Sequence, residues 1–316
     1  MGDNLNSIVG QDTAKRFVRT AINKDSLYNF LLTGPRGVGK RIFAFALVKM
    51  LGCSLTSSNF IFVAPIPPSI REKPEKIHDH LKTYLPDNPL VDLEDRSTIV
   101  VGQIRDIIAR LVHLPSQGTK RIVLILEADR MNEEAANCFL KTLEEPPTDT
   151  FFMLTSSRPD HLLPTIRSRC RRVPFSYLSG QQIQEIILDE GDPYLIGSPG
   201  ELMLLERSET MNDAYKILGQ CPLSIKAAST LAKEYYRGSL IELLYPLVLL
   251  YRRILYQKLG IVNDDDKSNK VLTAKVKKIP IQTIIQTMYI LNNGINLLER
   301  NPNRLLLLLT ILLQLP

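Results

Sequence analysis

Apolar residues along this chain follow two rhythms, and the change between them falls near residue 178. Before it, short unbroken apolar runs alternate with segments that are apolar every third or fourth position. Phe30–Thr33, Phe60–Val63, Arg121–Leu126 and Phe151–Thr155 are the short runs. Continuous stretches such as 121–126 are the pattern of parallel strands covered on both faces. The intervening spacing predicts helices. Ala14, Phe17, Val18, Ala21 and Ile22 share one face within 5–27, and a second helix covers 40–51. Residues 101–114 put Ile104, Ile107, Ile108 and Leu111 on one side and Arg105, Asp106 and Arg110 on the other. A helix over 132–145 starts from a cap at Asn132 and stops at Pro146-Pro147. The stretch 53–97 carries prolines at 65, 67, 68, 74, 86 and 89. It reads as an insertion holding the strand 60–63 and a short helix around 75–84. Past 178 the strand pattern is absent, and 179–190, 199–218, 224–235, 239–259, 280–298 and 302–315 all read as helices. Asp264-Asp265-Asp266 with Lys267, Lys270, Lys275, Lys277 and Lys278 reads as a solvated linker between helices. The chain has no internal repeat. The expected fold is a three-layer α/β domain with a parallel sheet, followed by an all-α part.

Candidate chemistry sits at the ends of these strands. After the first strand come Gly34-Pro35-Arg36-Gly37-Val38-Gly39-Lys40-Arg41, with the spacing of a phosphate-binding loop. Gly34, Gly37 and Gly39 let backbone N–H groups converge on phosphate oxygens, and Lys40 can reach the terminal phosphates. The motif then requires Ser or Thr to hold Mg²⁺, and position 41 is Arg, which has no oxygen to offer a metal. The strand 121–126 departs in the same way. An ATPase of this type ends that strand in Asp, which orders the metal, followed by Glu, which orients water. Here Leu126 stands in the Asp position while Glu127 and Asp129 remain. Leucine cannot ligate a hard cation. Two independent departures at one metal point to a nucleotide-binding fold that does not hydrolyse.

Composition narrows the setting. The 316 residues suffice for two or three domains, and 44% apolar content fills their cores. A net charge of +6 permits an acidic partner without demanding one. Cys53, Cys138, Cys170 and Cys221 are far apart with no CxxC pair, which fits reduced thiols and argues against a disulfide frame or a zinc ribbon. The N-terminus has no signal-peptide pattern, and Asn6 stands where myristoylation wants Ser or Thr. The longest apolar run, Leu305 to Leu315, has two polar interruptions and falls short of the ~20 residues of a span. The expectation is a soluble, cytoplasmic protein with no membrane contact.

A family resemblance rests on a series of strings in fixed order. They are Gly10-Gln11, the 34–40 loop, Glu127-Ala128-Asp129-Arg130-Met131, Ala135-Ala136-Asn137, Leu140-Lys141-Thr142-Leu143-Glu144-Glu145-Pro146-Pro147 and Leu163-Pro164-Thr165-Ile166-Arg167-Ser168-Arg169-Cys170. In this order they resemble the clamp-loader subunits of bacterial DNA polymerase III, an AAA+ family, over roughly 8–175. The lost magnesium positions are similar to its delta-prime branch rather than to the ATP-hydrolysing gamma/tau branch. The resemblance implies that Arg169 is an arginine finger acting in trans on a neighbour's ATP, with Cys170 as a packing residue. It makes Ser156 or Ser157 the small polar residue facing the γ-phosphate; Ser156 is counted in the candidate site with Glu127, Lys40 and the loop glycines. In the lid, Glu201 follows Gly197-Ser198-Pro199-Gly200 where relatives carry Arg, and a carboxylate there repels phosphates. Many family members hold zinc through four cysteines in the insertion. Only Cys53 matches, so no metal site is expected.

The resulting expectation is an AAA+ nucleotide-fold domain at 1–176, a helical lid at 177–215 and a helical collar at 216–316. The chain would be a non-hydrolysing subunit of a hetero-oligomeric ring with gamma/tau and delta subunits, acting on the sliding clamp and primed DNA. ATP or ADP would bind weakly or not at all, and no zinc would be held. The alternatives are an active gamma/tau-type ATPase and a standalone nucleotide sensor. The apolar helix at 305–313 must be buried, in its own bundle or between subunits.

Overall fold

A computed structural model of the chain describes residues 5–23, 29–88, 97–112, 115, 120–186, 198–200, 210–238, 240–260, 270–298 and 302–316. They form two compact units. The first comprises Met1–Asp189 with Gly197–Glu201, and the second Glu190–Ile196 with Leu202–Pro316. The expected lid is divided: Gly180–Ile186 goes with the first unit and Thr210–Gln220 with the second. Most of the rest of 177–215 lies outside the described residues.

The first unit is built on a five-stranded, wholly parallel sheet in the order β2-β3-β4-β1-β5. The strands are β1 (Phe30–Thr33), β2 (Phe60–Val63), β3 (Arg121–Ile125), β4 (Thr150–Ser156) and β5 (Arg171–Pro174). In register, Phe30 faces Met153 on one side and Arg171 on the other. Alternation along each strand divides the core in two. Phe30, Leu32, Ile122, Leu124, Phe151 and Met153 point to one face, where α1 (Asp12–Asn23) and α2 (Lys40–Met50) pack. Leu31, Val123, Ile125, Phe152 and Leu154 point to the other, under α4 (Val101–Leu111) and α5 (Glu133–Glu144). This is why the inner strands read as unbroken apolar runs. The Asn132 cap is present, its side chain accepting from the Ala135 N–H at 2.9 Å. The insertion contributes β2 and α3 (Pro74–Lys82). α6 (Pro164–Ser168) and α7 (Gly180–Ile186) also belong to this unit.

Strand β5 was not legible in the hydrophobic pattern. Its Arg-Arg-Val-Pro sequence buries only Val173, because it is an edge strand whose outward positions face solvent.

The second unit is helical. Leu240–Lys258 runs through its core with Leu243, Leu244, Leu247, Leu250, Tyr251 and Ile254 buried. Ile281–Leu298 and Arg304–Leu312 pack at Gly294, where an added Cβ would stand 2.4 Å from Ile311 Cδ1. The last helix buries Leu308, Ile311 and Leu312 in its own bundle and leaves Leu306 and Leu313 exposed. One departure concerns 264–278. Residues 261–269 lie outside the described residues, but Lys270–Lys278 is a helix and not linker. Leu272 is buried, and Lys275 donates to the Cys221 carbonyl at 2.6 Å. Its lysine-rich composition concealed a helix whose anchors include Leu272, Val276 and Lys275. No helix among the described residues is long and apolar enough to cross a membrane.

Candidate functional site

The phosphate-type loop links β1 to α2, and its glycines have separate reasons. Gly37 and Gly39 adopt φ of 68° and 96°, a region that favours glycine. At Gly34 space is a second constraint beside its φ of 155°, since a Cβ would meet the Phe175 carbonyl oxygen at 2.4 Å. Gln11 ties this loop to the exit of β5. Its Nε2 donates to the Val38 and Ser176 carbonyls, and its Oε1 accepts from the Ser176 N–H. From outside the loop, Ser198 Oγ donates to the Arg36 carbonyl at 2.7 Å and the Gly200 N–H to the Gly37 carbonyl at 3.0 Å. Glu201, expected to repel phosphates, lies outside the described residues.

Lys40 is 4% exposed and does not reach outward. Its ammonium donates to the Gly34 carbonyl at 2.8 Å, the Pro35 carbonyl at 2.5 Å and Ser157 Oγ at 2.9 Å. Three such bonds match the full donor capacity of an ammonium group. Ser157 Oγ in turn donates to Glu127 Oε2 at 3.1 Å. Lys40, Ser157 and Glu127 thus form a continuous polar chain across the ends of β1, β3 and β4. Of the two serines, it is Ser157 that joins this chain. Ser156 is fully buried and its Oγ accepts from the Arg158 N–H. Ser156 is the last residue of β4 and Ser157 lies just past it, where the chain turns toward the loop.

Glu127 holds its place through a left-handed backbone, with φ 47°. Asp129, two residues on, fixes the end of β4. Its Oδ1 accepts from the Ser157 N–H at 3.1 Å and its Oδ2 from Arg158 Nε at 3.3 Å, with the carboxylate 2% exposed. The sequence places Asp129 beside Glu127 in the 127–131 string without naming its partners, which come from the segment just past β4, 28 residues away. Close by, burial is the main influence lowering the pKa of Arg130, with a further lowering from Arg36.

The two magnesium positions are built into other things. Arg41 donates through Nη1 to the Tyr84 and Leu85 carbonyls at 2.6 and 3.0 Å, and through Nη2 to the Asn88 carbonyl at 2.6 Å. These oxygens lie just past the end of α3, in the turn that follows it within the insertion. Tyr84 is itself buried and donates its hydroxyl to the Pro65 carbonyl. Burial lowers the Arg41 pKa, an expense that three carbonyl acceptors offset. Leu126 is 1% exposed and part of the core beneath α2.

Arg169 lies between α6 and β5, capping α6 with φ −94° and ψ 0°. Its Nη1 donates to the Thr165 carbonyl at 3.0 Å, and its Nη2 pairs with Glu144 Oε1 at 2.6 Å. The residue is exposed, whereas the adjoining Cys170 is buried in the α4/α5 core.

A family model described as DNA polymerase III, delta subunit, matches residues 10–179, more than half of the chain. The chain belongs to this family. Its matched region includes the phosphate-type loop, the Glu127–Asp129 string and Arg169. Among individual relatives of this DNA polymerase III family, the delta' subunit of Pseudomonas aeruginosa is 34% identical over 142 residues, covering 45% of this chain and 40% of that protein. The tau subunit of Salmonella typhimurium is 27% identical over 219 residues, covering 67% of this chain and 32% of its own length. The chain therefore spans about a third to two fifths of the length of these curated relatives. A solved gamma subunit-related protein of Thermotoga maritima aligns over 95% of this chain and 97% of that one, with 20% identity and a TM-score of 0.42.

The thiols of this family member are all free. Cys53 sits in the core beside α2, and burial raises its pKa. Among the described residues no three His, Cys, Asp or Glu side chains are grouped to hold a metal. Burial pushes Cys170 up to about 12 and Cys221 up to about 11. Both acids thus have folded values above their unfolded ones. Their contribution to stability is complete below the unfolded value near 9 and is lost as pH rises toward the folded values. Denaturant midpoints should fall between pH 9 and 11, and Cys170→Ala should flatten that fall. A midpoint unchanged over this range would contradict the assignment.

Proposed function

We propose that this chain is a delta-prime-type, non-hydrolysing subunit of a DNA polymerase III clamp loader. In this reading it assembles in the cytoplasm with gamma/tau and delta subunits, helps place the sliding clamp on primed DNA, and offers Arg169 to a neighbour's ATP. The observation that carries the reading is Arg41. The residue where a metal-binding hydroxyl is needed has its guanidinium committed to three carbonyls of the insertion. Buried Leu126 at the second magnesium position supports the same conclusion. Family membership supports the replication setting.

The rival reading, an active gamma/tau-type ATPase, draws on the Lys40–Ser157–Glu127 chain. That chain retains a phosphate-seeking cation beside a carboxylate able to orient water. A single measurement separates the two. The purified chain should release phosphate from ATP at no more than a trace rate. Turnover of tens per second, abolished by Lys40→Ala, would establish the motor instead.

Nucleotide should bind weakly for a related reason. Phosphate must displace three short bonds from Lys40, with no Mg²⁺ shell to help. Calorimetric titration with ATP and Mg²⁺ should give nothing tighter than about 100 μM, roughly −5.5 kcal/mol. Submicromolar binding would contradict this. Metal analysis should likewise find well below one zinc per chain.

A further inference from the structure

We infer that Glu144 is a positioning residue for Arg169: its carboxylate directs the guanidinium at the domain edge. This inference rests on the arginine-finger reading proposed above, and it gives a task to the Leu-Lys-Thr-Leu-Glu-Glu-Pro-Pro string, which the nucleotide site does not use. Glu144 is the last residue of α5, and Pro146 stops the helix just beyond it. A carboxylate there faces the negative end of the helix dipole, the less favourable location for an acid. It also contributes little as a surface ion pair, because both partners are about a third or more exposed, at 34% for Arg169 and 44% for Glu144. Neither helix stability nor fold stability therefore accounts for it.

Geometry gives a different account. Arg169 is held from two sides, by Glu144 Oε1 on Nη2 at 2.6 Å and by the Thr165 carbonyl on Nη1 at 3.0 Å, with a longer contact from Nη1 to Ser168 Oγ at 3.5 Å. Two of the three guanidinium nitrogens are thereby directed. The backbone beneath is also fixed, by Ile166 and Cys170 in the core beside Leu143. Arg167, two residues earlier, takes a different carboxylate, that of Asp160 at 2.9 Å. A long side chain restricted in this way presents its remaining donors with little ordering left to do when phosphate arrives, which is how preorganised charge accelerates a reaction.

The test is ATP turnover of the loader reconstituted from this full chain with gamma/tau and delta subunits, with the ATP sites other than the one facing Arg169 inactivated. Glu144→Ala should lower kcat about tenfold, the scale of a misplaced catalytic group, with KM little changed. Glu144→Gln, whose amide oxygen accepts the same N–H, should stay within about twofold of the unmodified chain by the same reasoning. On an Arg169→Ala background, Glu144→Ala should cost nothing further, because residues acting through one group are not additive. Loss with Arg169→Ala but none with Glu144→Ala would overturn the positioning role and leave the finger standing. An equal loss from Glu144→Ala with and without Arg169 would overturn it as well, by showing action through the fold. No loss from Arg169→Ala would remove the finger reading and this inference together.

Discussion

If Arg169 is the finger proposed above, Arg169→Ala is expected to lower ATP turnover at the neighbouring site by about a thousandfold, the low end of the range for an arginine finger. The measurement uses the assembled loader with its other ATP sites inactivated. Folding and assembly should survive, because Arg169 is exposed and its pairing with Glu144 is solvent-screened. Arg169→Lys should restore little. An ammonium is a point charge, and the planar fork that can face two phosphate oxygens is lost. Arg171→Ala is the control for basic charge, since Arg171 is an exposed neighbour on β5. If both alanine substitutions lower turnover equally, and both losses vanish at low salt, Arg169 belongs to a general electrostatic patch and is no finger.

Arg41→Ser restores the residue that a magnesium-binding loop requires, and it should damage the protein without returning hydrolysis. The guanidinium satisfies the Tyr84, Leu85 and Asn88 carbonyls, and serine cannot reach them. Hydrogen bonds to a charged donor are each worth about 1.5–3 kcal/mol, so a loss of about 3 kcal/mol is expected after water recovers part of the deficit. Amide exchange should rise at 83–88, the turn that Arg41 holds, more than in β3 or β4. Adding Leu126→Asp to complete the metal site should deepen the loss. Position 126 lies in the core, where an unpaired carboxylate has no solvent. Unchanged stability for Arg41→Ser would show that the clamp is dispensable. Measurable ATP hydrolysis by the double variant would show that the magnesium positions are the only deficit.

The legible part of this protein was that in which neighbours along the chain share a fate. The inner strands, most of the described longer helices and the Asn132 cap follow from periodicity and local capping, because those forces act over a few residues. The sequence also located the loop glycines, Lys40 and Glu127 together, since strand ends in a parallel sheet meet at one edge. It did not reveal β5. An edge strand needs only one buried side chain, and Val173 supplies it. Nor did it reveal the Lys270–Lys278 helix, whose anchoring depends on Leu272 and on a carbonyl at Cys221.

Residue types alone determined that two positions of the magnesium site lack oxygen ligands, because no folding can give arginine or leucine a metal-binding oxygen. What those residues do instead was decided by the tertiary structure. Arg41 meets carbonyls 43 to 47 positions away, Lys40 meets a serine 117 positions away, and Arg169 meets a glutamate on another helix. Hydrogen bonds and ion pairs are specified by distances of about 3 Å and by direction. Chain order carries no such information until packing of the two apolar faces of the sheet has brought the elements together.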